Sequence, residues 1–132
     1  MKPTITSIDH LVLTVRDIDR TCAFYETVLG MTQTAFTTPS GEIRRALVFG
    51  DQKINLHQQG NEFEPKADKP TAGSADLCFL SETPLNDWIK HLADIGQDIE
   101  QGPVRRTGAT GPISSIYLRD PDRNLIEISN RG

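Results

Sequence analysis

The stretch Ile8-Asp9-His10-Leu11-Val12-Leu13-Thr14-Val15 begins the regular pattern of this chain. Because apolar and β-branched residues dominate it, it predicts a mostly buried strand. An apolar face at helical spacing follows, and Gly30 is placed to end that helix. The helical face consists of Ile18, Cys22, Tyr25 and Leu29. Three strand-like segments come next, at residues 31–37, 44–49 and 53–58. The first half of the chain therefore predicts the order βαβββ.

The same pattern returns in the second half. A strand-like segment covers residues 74–81, and Thr83-Pro84 is typical of a helix N-cap followed by a first-turn proline. The helical face that follows ends at Gly96. It consists of Leu85, Trp88, Ile89, Leu92 and Ile95. The last strands are predicted around residues 98–100, 114–119 and 124–129.

Equivalent residues of the two halves are separated by a nearly constant number of positions. His10 and Asp76 both precede apolar strand residues and lie 66 positions apart, as do the glycines at 30 and 96. Leu56-His57 and Ile126-Glu127 match at an offset of 70. Repeated units usually bury their apolar faces against each other because one unit cannot do so alone. Two such units in this chain therefore favour a pseudo-symmetric pair. We therefore predict an α+β fold, in which two βαβββ modules related by a pseudo-two-fold axis form a cupped mixed β-sheet around a pocket.

The predicted domain organisation is one domain spanning residues 1–132. Module 1 covers about 5–58 and module 2 about 74–130. The segment between them, residues 59–73, is polar and contains prolines and glycines, which predicts a connector.

The charge and hydropathy of the chain argue against nucleic-acid and membrane partners. The 14 Lys and Arg residues against 18 Asp and Glu give a net charge of −4, without a dense basic cluster. Because phosphate contacts dominate nucleic-acid affinity, we expect no nucleic-acid partner and no binding to a membrane surface. No apolar run approaches the ~20 residues that cross a bilayer. The start of the chain lacks the apolar segment of a secretory leader, so the default location is the cytoplasm. Cys22 and Cys78 lie in apolar segments and are predicted to be reduced core residues.

Four residues of metal-ligand type occupy matching places in the two halves. His10 and Asp76 lie at the start of the first strand of each half, and His57 and Glu127 lie at the end of the last strand. Around a two-fold axis such positions can converge, and oxygen and nitrogen donors suit a divalent transition metal. Each also has a structural explanation. His10 can lie half-exposed at a strand end, His57 can face a polar space or solvent, Asp76 can belong to a turn, and Glu127 can face water.

A glycine-rich loop at residues 102–112 is the predicted substrate-recognition segment. Its glycines allow close backbone approach, and Arg105 or Arg106 can clamp a carboxylate or phosphonate oxygen. The alternative is a pair of solvated arginines. Tyr117 can present its hydroxyl to the pocket, or be a half-buried strand residue.

Three segments of the chain resemble the vicinal oxygen chelate superfamily. They are Ile8-Asp9-His10-Leu11-Val12-Leu13, the helix end Phe24-Tyr25-x-x-Val28-Leu29-Gly30-Met31, and Asp120-Pro121-Asp122-Arg123-Asn124-Leu125-Ile126-Glu127. That group contains glyoxalases, bleomycin-resistance proteins, fosfomycin-modifying transferases and extradiol dioxygenases. By overall pattern, the chain is most similar to its glyoxalase-domain and "virulence protein" members. The resemblance covers nearly the whole chain and is specific for the fold, but not for the reaction.

The resemblance implies roles for the four candidate residues. His10 and Glu127 match metal-ligand positions. His57 stands where typical glyoxalases have a glutamate, and Asp76 where many members have a histidine. Because the missing glutamate would shuttle a proton, these departures weaken a glyoxalase assignment.

The resemblance further implies a divalent metal with open positions that binds two neighbouring substrate oxygens. His10, His57 and Glu127 resemble the two-histidine, one-carboxylate set that suits Fe(II) and would also hold Mn(II), Ni(II) or Zn(II). Asp76 would complete the coordination shell or act as a general base, so Asp76 and Glu127 are the predicted catalytic residues.

Three functional classes follow. The first is a metal-dependent enzyme on a small oxygenated molecule: a lyase, an isomerase, a ring-cleavage dioxygenase or a transferase. The second is a metal-free protein that sequesters an aromatic or drug-like ligand, as bleomycin-resistance proteins do. The third is a dimer with a vestigial pocket. Small members of the superfamily pair as homodimers, and exposed strand edges favour such pairing.

Overall fold

The computed structural model describes residues 2–132, which form eight strands and two helices. In chain order they are β1 (His10–Val15), α1 (Ile18–Thr27), β2 (Thr32–Thr37), β3 (Ile43–Phe49), β4 (Gln52–Gln58), β5 (Asp76–Leu80), α2 (Leu85–Asp94), β6 (Gln101–Thr107), β7 (Pro112–Arg119) and β8 (Leu125–Arg131). These elements form two compact units: unit 1 ends at Thr71, and unit 2 spans Ala72–Gly132. The boundary falls inside the predicted connector. Neither helix of residues 2–132 has the length and apolar character that crossing a bilayer requires.

Unit 1 is a four-stranded sheet with one helix on one face. The strand order is β1-β4-β3-β2, with β1 parallel to β4 and the other pairs antiparallel. Asp17 caps α1 by accepting the Arg20 backbone N–H at 3.1 Å. Side chains from the helix and from one sheet face form the core, which includes Leu13, Val15, Cys22, Tyr25, Leu47, Ile54 and Leu56.

Unit 2 repeats this topology in the order β5-β8-β7-β6, with β5 parallel to β8. Its core contains Leu85, Leu92, Ile116, Leu118, Ile126 and Ile128. The apolar residues of β7 and β8 alternate with polar ones, so each strand has one buried apolar face. The βαβββ order predicted for each half is confirmed.

Three local predictions in unit 2 are wrong. The strand predicted around residues 98–100 lies instead at residues 101–107 and pairs with β7, so Arg105 and Arg106 lie on β6 rather than in a loop. Helix α2 has Pro84 at its N-cap position, and the Leu85 N–H is capped by Asn130 Oδ1 at 2.8 Å, a long-range partner that local sequence cannot reveal. Cys78 is exposed, because strand alternation places it on the sheet face away from the half-buried Leu77 and Phe79.

A buried turn between β7 and β8 anchors the start of β5. Asp120 Oδ1 accepts the backbone N–H groups of Asp122 and Asn124, both at 2.9 Å. Asn124 Nδ2 donates to Asp120 Oδ2 at 2.7 Å, and Asn124 Oδ1 accepts the Ala75 N–H at 2.9 Å. This network fixes the backbone next to Asp76.

Replacing Asn124 with alanine should destabilise the protein by about 1–3 kcal/mol, because it removes the hydrogen bonds that the Asn124 amide makes with Asp120 Oδ2 and with the Ala75 N–H. Urea unfolding followed by circular dichroism measures this loss. The matched control is Asn86→Ala on the exposed face of α2, which should change the free energy of unfolding by less than about 0.5 kcal/mol. Equal stability of the two variants would contradict the anchoring role.

Candidate functional site

The face of the unit 2 sheet opposite α2 carries a carboxylate among small polar residues. Ile126 and Ile128 are buried in the core, so Glu127 between them projects to the other face. The parallel register places Cys78 on β5 beside Glu127. Ser115 on β7 pairs with Ser129 on β8, two residues from Glu127 on the same face.

Two buried hydroxyls orient the Glu127 carboxylate. Ser115 Oγ donates to Glu127 Oε2 at 2.6 Å, and Ser129 Oγ approaches the same oxygen at 3.4 Å. The two serines are fully buried and lie 2.7 Å apart, Oγ to Oγ. Both bonds go to Oε2, so neither serine hydroxyl binds the second carboxylate oxygen. The geometry resembles the outer-shell support that orients carboxylate ligands in metal sites.

Glu127 lines a cavity of about 410 Å³ within unit 2. Its walls combine apolar side chains, two arginines and the backbone between β6 and β7. The lining residues are Cys78, Leu80, Arg106, Thr107, Gly108, Ala109, Thr110, Ile113, Glu127 and Arg131. A volume of this size suits a small organic molecule.

The two candidate arginines on β6 have different surroundings. Arg106 lines the cavity, and its Nε donates to the Tyr117 hydroxyl at 2.9 Å. Its guanidinium also lies 5.5 Å from the centre of the Tyr117 ring. Arg105 instead donates to the Gly132 carbonyl at 2.9 Å and is not part of the lining. Of the predicted pair, only Arg106 is therefore placed to contact a ligand there, and Tyr117 holds it in position.

Asp76 lies on the same face as Glu127. It begins β5 opposite Leu125, two positions before Cys78. Diagonal neighbours in adjacent strands lie about 7–8 Å apart, so the two carboxylates can approach one cation. Asp76 is exposed and does not line the cavity.

The thiol of Cys78 completes this group. Its Sγ lies 3.2 Å from Ser129 Oγ. Although Cys78 as a residue is exposed, its thiol is partly desolvated, and this desolvation, together with the negative charge of Glu127, raises the pKa of the thiol above its usual value, while the Ser129 contact opposes the shift. Cys78 is therefore a neutral thiol near pH 7.

The two predicted histidines lie on the same face of the unit 1 sheet but far apart. Strand register pairs His57 with Thr14, four positions beyond His10. Four strand residues span about 13 Å, so the two imidazoles do not meet within unit 1. His10 is partly exposed and has Nδ1 2.8 Å from Asp9 Oδ1. His57 is buried, and this burial, with the Arg44 charge, lowers its pKa.

Register also corrects the internal alignment of the halves. Val12 pairs with Asn55 in unit 1, as Cys78 pairs with Glu127 in unit 2. The residue equivalent to Glu127 is therefore Asn55, at an offset of 72, while His57 corresponds to Ser129. The predicted offset of 70 fails because the lengths of the intervening hairpins set the register.

The metal implied by the resemblance fits unit 2 in part. Among the described residues of each unit, no three His, Cys, Asp or Glu side chains form a group that could hold an ion. Asp76 and Glu127 provide two hard oxygen ligands on one face, and Glu127 is pre-oriented by its serines. His10 and His57 do not fit as a pair on one ion. The ligand roles of the four residues otherwise remain predictions.

The chain belongs to the glyoxalase/bleomycin resistance protein/dioxygenase superfamily, whose sequence model matches residues 7–128. Virulence protein STM3117 of Salmonella typhimurium (strain LT2) is 61% identical over 125 residues, covering 95% of this chain and 84% of that protein. The crystal structure of STM3117 has a TM-score of 0.90 at 59% identity and covers 98% of this chain and 100% of the other. The predicted resemblance to "virulence protein" members is confirmed.

Two other relatives extend the comparison. Glyoxalase domain-containing protein RDO1 of Mycosarcoma maydis is 55% identical over 127 residues, which are 96% of this chain and 69% of that protein. Metallothiol transferase FosB of Shouchella clausii is 24% identical over 131 residues, 94% of this chain and 80% of the transferase.

Sequence reasoning missed Ser115, Ser129 and Arg131. Alternation along β7 and β8 carries a signal for them, since each lies an even number of residues from Tyr117 or Glu127. Their chemical relation to Glu127 depends on how the strands pair.

Alkylation of Cys78 should require a higher pH than alkylation of a free thiol, because its raised pKa keeps the sulfur protonated. Mass spectrometry of the Cys78 peptide after short iodoacetamide pulses across a pH series measures the midpoint, with glutathione as reference. Glu127→Gln should move the midpoint to lower pH by removing a nearby negative charge. A wild-type midpoint at or below that of glutathione would refute this description.

Proposed function

We propose that this protein is a metal-dependent enzyme that acts on a small molecule with two neighbouring oxygens. The observation that carries the proposal is the Glu127 carboxylate, which two buried serines hold through one oxygen at the wall of a small-molecule cavity. Superfamily membership and the distant similarity to a metallothiol transferase support it. The identity of the substrate would decide whether the reaction is that of a lyase, a dioxygenase or a transferase.

Glu127 and Asp76 are the proposed ligands in unit 2. A divalent ion (Fe, Mn, Ni or Zn) would supply positive charge that stabilises negative charge developing on the substrate oxygens. Ser115 and Ser129 keep Glu127 in one orientation, so little reorganisation is needed when the ion binds. Asp76 is more exposed, and it can bind the ion or accept a proton from the substrate.

Arg106 and Arg131 are the proposed substrate contacts. Both line the cavity that Glu127 lines, so a guanidinium can bind an anionic end of the substrate while its oxygens lie near the carboxylate. Tyr117 accepts a hydrogen bond from Arg106 Nε and thereby orients the guanidinium. Leu80 and Ile113 provide apolar wall and limit water in the cavity.

The alternative is a metal-free protein that sequesters a small molecule or drug. It is favoured by one observation: no group of three ligand-type side chains forms within either unit among the described residues. Under this alternative Glu127 and the arginines would only bind polar groups of the ligand.

Metal binding separates these two functions. Calorimetric titration and thermal shift with Mn(II), Ni(II), Zn(II) and anaerobic Fe(II) should show saturable binding to the wild-type protein. Glu127→Gln should weaken affinity at least about tenfold by removing a ligand, and Ser115→Ala should weaken it about tenfold by releasing that ligand. The matched control is Glu82→Gln, an exposed carboxylate of the same unit. Binding that is unchanged in Glu127→Gln, or absent from wild type, would refute the metal site.

We further propose that the protein works as a cytoplasmic homodimer, without a nucleic-acid or membrane partner. Ile5 and Ile8 near the start of the chain are 90% and 70% exposed, and a second copy that covered them would gain the free energy of removing this apolar surface from water. Light scattering after gel filtration should give twice the chain mass, and Ile8→Asp should shift the population toward monomer. The matched control Thr6→Asp should leave the mass unchanged. A monomeric wild-type protein would contradict the pairing.

A further inference from the structure

The segment before β1 is exposed along its whole length. Residues 2–9 lie in neither a strand nor a helix, and each of them is exposed. Among residues 2–132, no backbone hydrogen bond joins residues 3–8 to a strand, and the side chains of Thr4 and Asp9 bond only to the nearby Lys2 and His10. We name residues 3–8 the arm. Its backbone groups are open to a partner.

The arm has the sequence of a strand. Pro3-Thr4-Ile5-Thr6-Ser7-Ile8 contains four β-branched residues and no charged side chain. Because side chains alternate along an extended backbone, Ile5 and Ile8, three positions apart, project to opposite sides. Such a segment can add to the edge of a sheet, where one isoleucine would lie on each face.

Strand β2 is a sheet edge of matching length. Within the described residues of unit 1 it pairs only with β3, so one row of its backbone N–H and C=O groups is unpaired there. Its six residues, Thr32–Thr37, include no charged residue and no proline, and their register with β3 is unbroken. Proteins protect edge strands with charges, prolines or bulges. Because β2 has none of these, it is an open edge.

The strands at the other sheet ends carry such protection. β6 contains Pro103, a break in register between Gln101 and Val104, and two arginines. β5 is shorter and begins with the Asp76 carboxylate, and β1 directly follows the exposed Asp9. A strand added to any of these edges would meet a charge or an irregular backbone. The edge that best accepts a further strand is therefore β2.

Exposed apolar side chains lie on both faces of the sheet beside β2. Ile43 is two positions from Arg45 on β3, and Arg45 donates to Asp19 of α1, so Ile43 lies on the α1 face. Val48 is an odd number of positions from Arg45 and lies on the other face. Both side chains are exposed. An added strand with one isoleucine on each side would extend apolar surface on both faces.

We infer that two copies of this chain exchange arms, so that the arm of each copy adds to the free edge of β2 in the other. The inference rests on the proposed homodimer and names its interface. Within one chain the arm leads into β1, at the opposite end of the sheet from β2, so a second copy supplies it. Backbone hydrogen bonds and the removal of both isoleucines from water stabilise each contact. A two-fold axis makes the two contacts identical, and no like charges meet because arm and edge are uncharged.

Charges placed on the edge test the contact in the full-length protein. Thr34→Lys combined with Ala35→Lys puts one lysine on each face of β2 at exposed positions. Sedimentation equilibrium should show a dimer dissociation constant at least about tenfold higher, because edge lysines oppose strand addition. The matched control is Gln101→Lys on the exposed edge of β6, which should dimerise as wild type does. In the arm, Thr6→Asp should do the same, because it keeps both isoleucines. Circular dichroism establishes that each variant is folded.

Mixing two variants tests whether arm and edge meet each other. Ile8→Asp alters only the arm, and the double lysine variant alters only the edge, so each alone should be monomeric where wild type is dimeric. Mixed in equal amounts they should form a heterodimer. It has one unaltered contact and one in which an aspartate lies near lysines. If arms paired with arms, the lysine variant alone would remain dimeric, and if edges paired with edges, Ile8→Asp would.

Amide hydrogen exchange gives a readout on the wild-type protein. Amides of residues 3–8 should exchange at least about tenfold more slowly in the dimer than after dilution to monomer, because the added strand is hydrogen-bonded. A wild-type dimer overturns arm exchange, and leaves the homodimer standing, if the lysine variant still dimerises, if the mixture stays monomeric, or if these amides exchange as in a free peptide. A monomeric wild-type protein overturns both.

Discussion

The packing of Ile126 and Ile128 under α2 is the constraint on which the candidate site depends. Both side chains are buried in the core of unit 2, and each contributes about 1.5–3 kcal/mol by leaving water. Because side chains alternate along a strand, this burial forces Glu127 to the opposite face. A slip of one residue would bury the carboxylate and expose both isoleucines, so β8 has one stable register.

The same alternation builds the surroundings of Glu127. Ile116 and Leu118 are buried toward α2, so Ser115 and Tyr117 project with Glu127 to the other face. The serine hydroxyls are fully buried there and hold one carboxylate oxygen, while Tyr117 holds Arg106. A pattern that first stabilises the core thus also determines which polar groups converge at the cavity.

The two units use one topology for different surfaces. In unit 2 the position beside β5 holds Glu127, which its serines orient; in unit 1 the equivalent position beside β1 holds Asn55, whose buried oxygen has no hydrogen bond among the described residues. Ser129 corresponds to His57, which lies against Phe63 and near Arg44. The repeat therefore conserves backbone geometry and not chemistry, and ligand-type residues at similar sequence positions need not have the same role.

The sequence by itself determined the βαβββ order of each half, the helix-facing residues and the projection of Glu127 away from the core, because hydrophobic periodicity reports local burial directly. It also pointed to Arg106 and Tyr117. Only the tertiary structure decided that His57 lies opposite Thr14, four positions beyond His10 on β1. It also decided that Arg105 donates to the Gly132 carbonyl, and that Ser115 and Ser129 support Glu127. Those facts depend on which residues of neighbouring strands stand opposite each other. Hairpin lengths and long-range packing set that register, and neither is encoded in the periodicity of a single segment.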